Sequence, residues 1–366
     1  MELADVPDSK SGPGNRVRVR PPPPALYPVK ILMISYTCTE DDNGILLSSL
    51  LTDRLDIYSS TLSRLKFGGG IFLNGIPVHV RREVRAGDKV EIDLSRAETP
   101  SEIDPEDIPL DIIYESDGLI AVNKKAMSVV HPTCFHRTGT VAAGIVNYYK
   151  IRGLNSGIHL VNRLDLGTSG ILIFAKYGLV QERMRREAEE GQYIKIYLGI
   201  LDIETADAAD DTNGHAPYNA PEPGFEGTVN APIARDRTSI IGRKIDPAGS
   251  EAITKYKIIA VNKQKNKALA AFSLLTGRTH QIRVHMKHIG MPLTGDSLYN
   301  QAYLQDKNSH QLLHQYYAAF TEPLSGESAQ ITCPVPEEFE KHFPDQFEGG
   351  KLIDPSSLYS FQQPRR

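Results

Sequence analysis

Cysteine is scarce in this chain. Cys38, Cys134 and Cys333 are spread over 366 residues, with no Cys-x-x-Cys. So sparse a set excludes a disulfide-built fold, argues against a zinc site and points to a reducing compartment. Long apolar runs are missing too: none approaches the ~18 residues of a spanning helix. The polar start of the chain carries no signal-peptide pattern. A cytoplasmic protein without a membrane partner is therefore expected. Nor is there a large charge of one sign, since 41 Lys and Arg face 45 Asp and Glu, for a net charge of −4. A protein basic all over is excluded, so a nucleic-acid partner would have to be held by a local patch. No Gly-x-Gly-x-x-Gly follows a strand pattern and no Walker loop is present, which argues against dinucleotide and nucleotide-triphosphate chemistry. No cofactor is expected. With 40% hydrophobic and 23% charged residues, what remains is a globular chain with room for about two domains.

The most informative stretch is His159-Leu160-Val161-Asn162-Arg163-Leu164-Asp165-Leu166-Gly167-Thr168-Ser169-Gly170. An apolar segment enters a polar loop with one cation, Arg163, and one carboxylate, Asp165. Two glycines bracket two hydroxyls, and Ile171-Leu172-Ile173-Phe174-Ala175 resumes the apolar pattern. Strand, glycine-bounded loop, strand presents one side chain from a rigid scaffold. It is equally the pattern of a plain hairpin with an exposed aspartate.

Around this centre the chain divides. Residues 1–27 are rich in Pro and Arg, include four consecutive prolines, and are expected to be a disordered tail. Residues 28–96 alternate like strands, with a Ser-rich helix start at 59–66, a Gly68-Gly69-Gly70 stop and an Asn74-Gly75 turn. The stretch 54–96 carries eight Lys and Arg, including Arg64, Lys66, Arg81 and Arg82, against five acids. Residues 97–109 hold three prolines and five acids and read as an acidic linker. Residues 110–345 form the larger unit. Hairpin strands are expected across 111–124, a short buried helix at 141–149 and an amphipathic helix over 179–190. Arg183, Arg185 and Arg186 in that last helix alternate with glutamates as on a salt-bridged surface. Tyr193 to Leu201 alternates as a strand. Residues 202–226 contain seven acids and no Lys or Arg, and are expected as an exposed loop. A strand over 269–275 leads to a helix capped by Thr279, ending at Ile289 with Gly290 as its stop. The spacing of His280, His285 and His288 in that helix is not that of His-x-x-x-His and argues against a metal. From about 346 to 366 a second disordered tail is expected.

Asn162-Arg163-Leu164-Asp165-x-x-Thr168-Ser169-Gly170 resembles the signature of the RluA-type pseudouridine synthases. Lys195-Ile196-Tyr197-Leu198 resembles the family's Lys-x-Tyr element, and Gly277-Arg278-Thr279-His280-Gln281-Ile282-Arg283-x-His285 its third motif. The resemblance spans about residues 29–340 with the motifs in family order. Two departures stand out: Asn162 replaces the usual His, and Lys124-Lys125-Ala126-Met127 replaces the usual Lys-Pro-Ala-Gly. Residues 28–96 resemble, in degenerate form, the small RNA-binding domain named after ribosomal protein S-four. The resemblance implies an α+β fold. Its catalytic domain would be built on a mixed, mainly antiparallel β-sheet flanked by helices and loops, and its N-terminal RNA-binding domain would be a small α/β unit. It also implies isomerisation of uridine to pseudouridine in structured RNA, ribosomal RNA of the large subunit first and transfer RNA as the alternative. Asp165 would be the catalytic residue, Tyr197 would lie against the base, and Arg283 would pair with Asp165. Arg163, Lys195, Arg278 and His280, with Arg64, Lys66, Arg81 and Arg82, would contact RNA. A monomer is expected.

These residue types suit the reaction. The isomerisation breaks a nitrogen–carbon glycosidic bond and makes a carbon–carbon one without net redox change, so it needs no nicotinamide or flavin. A carboxylate can attack the anomeric carbon or take a ribose proton, and must be ionised for either. Burial alone would raise its pKa, so a cation partner is required. A glycosidase would ordinarily show two carboxylates. A non-catalytic RNA-binding or ribosome-assembly factor would not need Asp165, Tyr197 and Arg283 together.

Overall fold

The computed structural model describes residues 31–99, 101–133, 136–203, 221–304, 306 and 308–361. The Pro/Arg-rich tail and most of the acidic loop 202–226 lie outside them.

The N-terminal unit is a four-stranded antiparallel sheet in the order β1-β4-β2-β3, where β1 is Met33–Thr37, β2 Ile71–Leu73, β3 Ile76–Pro77 and β4 Lys89–Asp93. Between β1 and β2, helix α1 (Leu47–Ser49) runs into a π-helical turn, and α2 (Ser59–Gly68) follows. Gly69, at φ 65°, ends α2, and Asn74-Gly75, both at positive φ, make the two-residue turn between β2 and β3.

The body is built on one ten-stranded sheet. Its path runs β10-β13-β14-β9-β15-β8-β6-β5, with β16 added on β15 and β7 on β8. The strands are β5 (Ile112–Glu115), β6 (Leu119–Lys124), β7 (His159–Leu160), β8 (Ser169–Ala175), β9 (Ile194–Asp202), β10 (Glu226–Asn230), β13 (Ile253–Asn262), β14 (Lys267–Leu274), β15 (Leu313–Thr321) and β16 (Ser328–Thr332). A separate ribbon, β11 (Ile233–Arg235) with β12 (Arg243–Ile245), stands off between β10 and β13. Among the described residues every pairing in the large sheet is antiparallel except β8 with β15, which meet in parallel at His314–Ser169 and Gln315–Gly170. Helices α3 (Val141–Ile151), α4 (Gly178–Glu189) and α5 (Gln281–His288) flank the sheet. This is a mixed α+β architecture, as the motifs implied.

The alternation of side chains across the sheet explains the packing. All seven residues of β8 are buried. Ile171, Ile173 and Ala175 face one core together with α4 and the N-terminal unit, whereas Leu172 and Phe174 face another with α3 and α5. Likewise Tyr197 of β9 joins the α5 side, while Ile196, Leu198 and Ile200 face the C-terminal segment.

The N-terminal unit is packed on the body. Its core is continuous with Leu179, Val180 and Met184 of α4. Ser60 and Thr61 donate to Glu182, and Arg183 donates to the carbonyls of Leu55 and Pro323. Arg185 and Arg186 form the expected i,i+4 pairs with Glu189 and Glu190. Residues 97–109, expected as a linker, are clasped rather than free. Glu98 accepts from Gly178 N–H at 2.8 Å and faces His159 Nε2 at 2.6 Å, and Glu106 accepts from Gly139 N–H at 2.9 Å. Two of the five acids of this acidic linker, Glu98 and Glu106, are used on donors of the body.

Residues 346–361 correct the expectation of a disordered tail. After α6 (Glu337–His342) the chain forms the ribbon β17 (Phe347–Glu348) with β18 (Lys351–Leu352) and a final 3-10 turn. Phe347, Leu352, Leu358 and Phe361 are buried against β9 and β14. Their spacing fits neither helix nor strand, which is why no sequence pattern revealed them.

Candidate active site

The site lies on the α5 side of the sheet, where β8, β15 and β9 run side by side. The loop between β7 and β8 carries Asp165, and it is fixed from every direction. Lys124, fully buried at the end of β6, donates its three ammonium hydrogens to the carbonyls of Lys125, Leu166 and Thr168 at 3.1, 2.9 and 2.8 Å. Burial pushes Lys124 down to about 8, against the opposing pull of Asp165. Met127 N–H donates to Leu166 O at 2.8 Å. Met127 adopts φ 61° at the position where the resembling motif has Gly, so the left-handed turn survives without the glycine.

The two hydroxyls of the loop are structural. Thr168 Oγ1 accepts from Gln311 Nε2 at 3.0 Å, and Ser169 Oγ stands 2.8 Å from His314 Nδ1. Burial holds the His314 ring down to about 4, hence neutral; its Nε2–H donates to Cys333 O at 3.1 Å and its Nδ1 accepts from Ser169. Gly170, at φ 109°, lies against the backbone of Gln315, where any Cβ would collide. That close approach is what the parallel contact of β8 with β15 demands. Asn162 also serves the scaffold: its amide donates to Ile171 O and Gln315 Oε1, both at 2.9 Å, and accepts from Ile173 N–H at 2.8 Å. No imidazolium is called for there.

Asp165 itself is left partly open, its side chain a quarter exposed. Arg283 Nη1 approaches it at 3.4 Å and His280 Nε2 at 3.9 Å. Arg283 is held from behind by Asp296, a fully buried carboxylate that receives Nε and Nη2 at 2.8 Å each. Asp296 also accepts the N–H groups of Leu298 and Tyr299. Burial works against the charge of Arg283, but the bonds and charge of Asp296, with Asp165 adding, outweigh it and raise its pKa. The Tyr299 ring lies under the guanidinium at 5.0 Å.

His280 rather than Thr279 caps α5. Its backbone is left-handed, with φ 59°, and no side chain caps the helix. The turn before it is organised by buried Gln281, whose Oε1 accepts from Thr276 Oγ1 and Arg278 N–H at 2.8 and 2.9 Å. Gly290, at φ 75°, stops the helix as expected. Burial lowers the His280 ring to about 4, Asp165 opposing. Tyr299 Oη accepts from Arg243 N–H at 2.8 Å and faces His280 Nδ1 at 2.8 Å. With the imidazole neutral, the phenol donates to Nδ1, and Nε2 carries the hydrogen that points toward Asp165.

Tyr197 completes the pocket. It is buried on β9, and burial together with the charge of Asp165 pushes its phenol far up, so it stays neutral. Lys195, two residues along and on the same face, lies over the Tyr193 ring at 4.9 Å. Arg163 is exposed at the rim, with Nη2 3.3 Å from Thr279 Oγ1. Arg278 stands one step away in an adjoining cleft. Asp165, Tyr197, Arg283, His280 and Arg163 are thus brought together. Arg64 is elsewhere, its guanidinium covering Gly178, and Lys66, Arg81 and Arg82 are exposed on the N-terminal unit.

Sequence reasoning missed Lys124, Asp296 and Tyr299. Asp296 had a signal, being the only carboxylate between Glu251 and Asp306. The histidines do not converge: His285 is spent on Thr254 and Ala231 O. Among the described residues no group of three His, Cys, Asp or Glu stands together to hold a metal.

A partly open aspartate beside a fixed guanidinium, with a neutral buried tyrosine alongside, defines a carboxylate-centred site. Comparison with known proteins gives the class. Residues 118–288 match the family described as RNA pseudouridylate synthase. The RNA pseudouridine synthase YjbO of Bacillus subtilis is 32% identical over 78% of this chain and 94% of its own length. Ribosomal large subunit pseudouridine synthase D of Haemophilus influenzae is 31% identical over 71% of this chain and 77% of its own. The human RNA pseudouridylate synthase domain containing 1 structure overlaps 72% of this chain and 96% of its own at a TM-score of 0.49 and 20% identity. The chain belongs to the RNA pseudouridylate synthase family: it is an enzyme that isomerises uridine to pseudouridine in RNA.

Proposed function

We propose that the protein modifies a uridine of large-subunit ribosomal RNA, with Asp165 as the catalytic carboxylate. The observation that carries this reading is the shared guanidinium: Arg283 is locked to buried Asp296 and turns its remaining Nη1 toward Asp165 at 3.4 Å. A cation already fixed in place offsets the cost of shedding water around the carboxylate when the base enters. The uridine leaves its stack to reach the pocket, at a cost of a few kcal/mol, and stacking of the base on Tyr197 offsets part of that cost. In the reaction the C1′–N1 bond breaks, Asp165 serving either by attack at C1′ or by taking a ribose proton. The uracil turns, C5 bonds to C1′ and the C5 proton leaves.

Large-subunit ribosomal RNA is favoured because relatives with a named target, among them those of Haemophilus influenzae and Pasteurella multocida, are ribosomal large subunit enzymes. Residues 28–96 serve as an RNA-binding module through Lys66, Arg81 and Arg82. The protein acts in the cytoplasm as a monomer and without a cofactor. The buried free thiol of Cys38 is in keeping with a reducing compartment.

The test is release of tritium from ribosomal RNA labelled at uridine C5, followed by mapping of the modified position. Stoichiometric release at one large-subunit site is expected. Release from transfer RNA alone would move the target, and no release from any cellular RNA would remove the reading.

A further inference from the structure

A second cavity opens beside the catalytic loop. It is a cleft of about 340 Å³ between the β11–β12 ribbon and the turn before α5. Its lining includes three arginines, Arg235, Arg243 and Arg278, with Ser250 and Thr279, and no acidic residue. Three guanidiniums on one small cleft repel one another unless an anion occupies it. Among the described residues none of the three has a carboxylate within ion-pair distance. The acids closest in sequence are engaged elsewhere: Asp236 accepts from Thr238, and Asp246 accepts from Ala248 N–H and pairs with Lys244.

Each arginine is held in place by backbone carbonyls and keeps donors to spare. Arg235 Nη2 donates to Ile240 O at 3.4 Å. Arg243 Nη1 donates to the carbonyls of Ile241 and Gly242 at 3.2 and 3.0 Å. Arg278 Nε donates to Glu251 O at 2.9 Å. A guanidinium has five N–H donors, so most remain open, in the fork geometry that matches phosphate oxygens.

The cleft also adjoins the reacting centre through bonded groups. Thr279 on its wall meets Arg163 of the Asp165 loop. The N–H of Arg243 donates to Tyr299, which holds His280, whose Nε2 faces Asp165.

We propose that this cleft is a binding site for one RNA phosphodiester near the target uridine, held by Arg235, Arg243 and Arg278. It anchors the backbone while the base is drawn into the pocket of Asp165 and Tyr197. The inference rests on the reading of the protein as an RNA pseudouridine synthase. An anchored phosphate fixes register without reading sequence, and its negative charge offsets part of the repulsion among the three arginines.

The experiment uses the full chain and a fluorescein-labelled stem-loop of large-subunit RNA carrying a reactive uridine. Binding is measured across a salt series for the wild type, for R235Q/R243Q/R278Q and for the charge-keeping R235K/R243K/R278K. The glutamine variant is expected to bind between about 10- and 100-fold more weakly. Its log K against log salt slope should be shallower by about 0.7 to 1. The lysine variant should keep the slope and lose part of the affinity. A methylphosphonate scan should find one linkage near the target whose neutralisation weakens the wild type and not the glutamine variant. If the triple variant melts early, R235Q and R278Q singly, both at exposed positions, carry the same comparison. An unchanged slope, or the absence of any such linkage, overturns the proposal. Tritium release by the wild type reports separately on the enzymatic reading: activity with an unchanged slope removes only the cleft, and a changed slope without activity removes only the isomerisation.

Discussion

Asp165 and Asp296 share one guanidinium and have opposite surroundings. Asp296 is sealed: it takes two short bonds from Arg283 and two backbone N–H groups, and no part of it reaches solvent. Asp165 takes one long contact at 3.4 Å and keeps a quarter of its side chain exposed. The first arrangement is how a protein stabilises a buried ion pair, with both carboxylate oxygens hydrogen-bonded. The second leaves lone pairs unspent, which is what a group that must reach substrate requires. One arginine therefore joins a sealed pair to an open one.

The sharpest way to break the symmetry between the two is Asp165→Asn. It keeps the shape and removes the charge of the open partner. Pseudouridine formation should fall by at least about 10⁴-fold, as for removal of a central catalytic group. The stability read from urea denaturation should change by less than about 1 kcal/mol, since only long contacts are lost. A fold collapse with this variant would show that Asp165 is structural.

Stability should respond on the other side. Arg283→Met strands a carboxylate with no solvent to receive it, so it should cost about 3–5 kcal/mol, and Asp296→Asn should cost a similar amount by stranding the cation. The double variant Arg283→Met with Asp296→Asn should recover much of that loss. Pairing Arg283→Met with Asp165→Asn should recover little, because Asp296 remains buried and unpaired. Equal recovery in the two double-mutant cycles would erase the distinction between the carboxylates.

The contrast also explains what the sequence could tell. Asp165, Tyr197 and Arg283 could be singled out because each lies in a contiguous stretch that resembles a family motif, in a glycine-bounded loop, a strand and a helix that stops at Gly290. Asp296 could not, since it lies in an irregular segment and its meaning depends on a turn that folds back on α5. Lys124 was hidden for a related reason. It ends an ordinary alternating strand, and only the fold reveals that its ammonium clamps carbonyls more than forty residues away. The β8–β15 contact, the only parallel pair of the large sheet among the described residues, joins segments about 145 residues apart. No periodicity reports on such a partner.

A pH series sharpens the comparison at the scaffold behind Asp165. His314 holds Ser169 and is kept neutral by burial, its pKa near 4 instead of 6.5. Between those values the unfolded chain binds a proton that the folded protein does not. Stability is therefore fully present above pH 6.5 and is lost as pH falls toward 4. The shift corresponds to about 3 kcal/mol from this residue. His314→Asn should be weaker at pH 7 but lose correspondingly less between pH 6.5 and 4, read from urea midpoints. Parallel acid limbs in the two proteins would show that His314 is not buried neutral.

The smallest effect should come from Tyr299→Phe. The ring that lies under Arg283 is kept, so the sealed pair with Asp296 should persist. What disappears is the hydroxyl that accepts from Arg243 N–H and donates to His280 Nδ1. The loss of those two bonds should cost about 1–2 kcal/mol of stability. Burial pushes the Tyr299 phenol up to about 12 against the opposing pull of the Arg243 N–H and the Arg283 charge, so it stays a donor over the working pH range. Without that donor, His280 is free to move its hydrogen to Nδ1 and present a lone pair to Asp165, which is repulsive. The variant should therefore lose turnover by about one order of magnitude with little change in KM, and the loss should persist across pH 6 to 9. A change confined to KM would mean that Tyr299 serves RNA binding, and that the open side of the site does not depend on the orientation of His280.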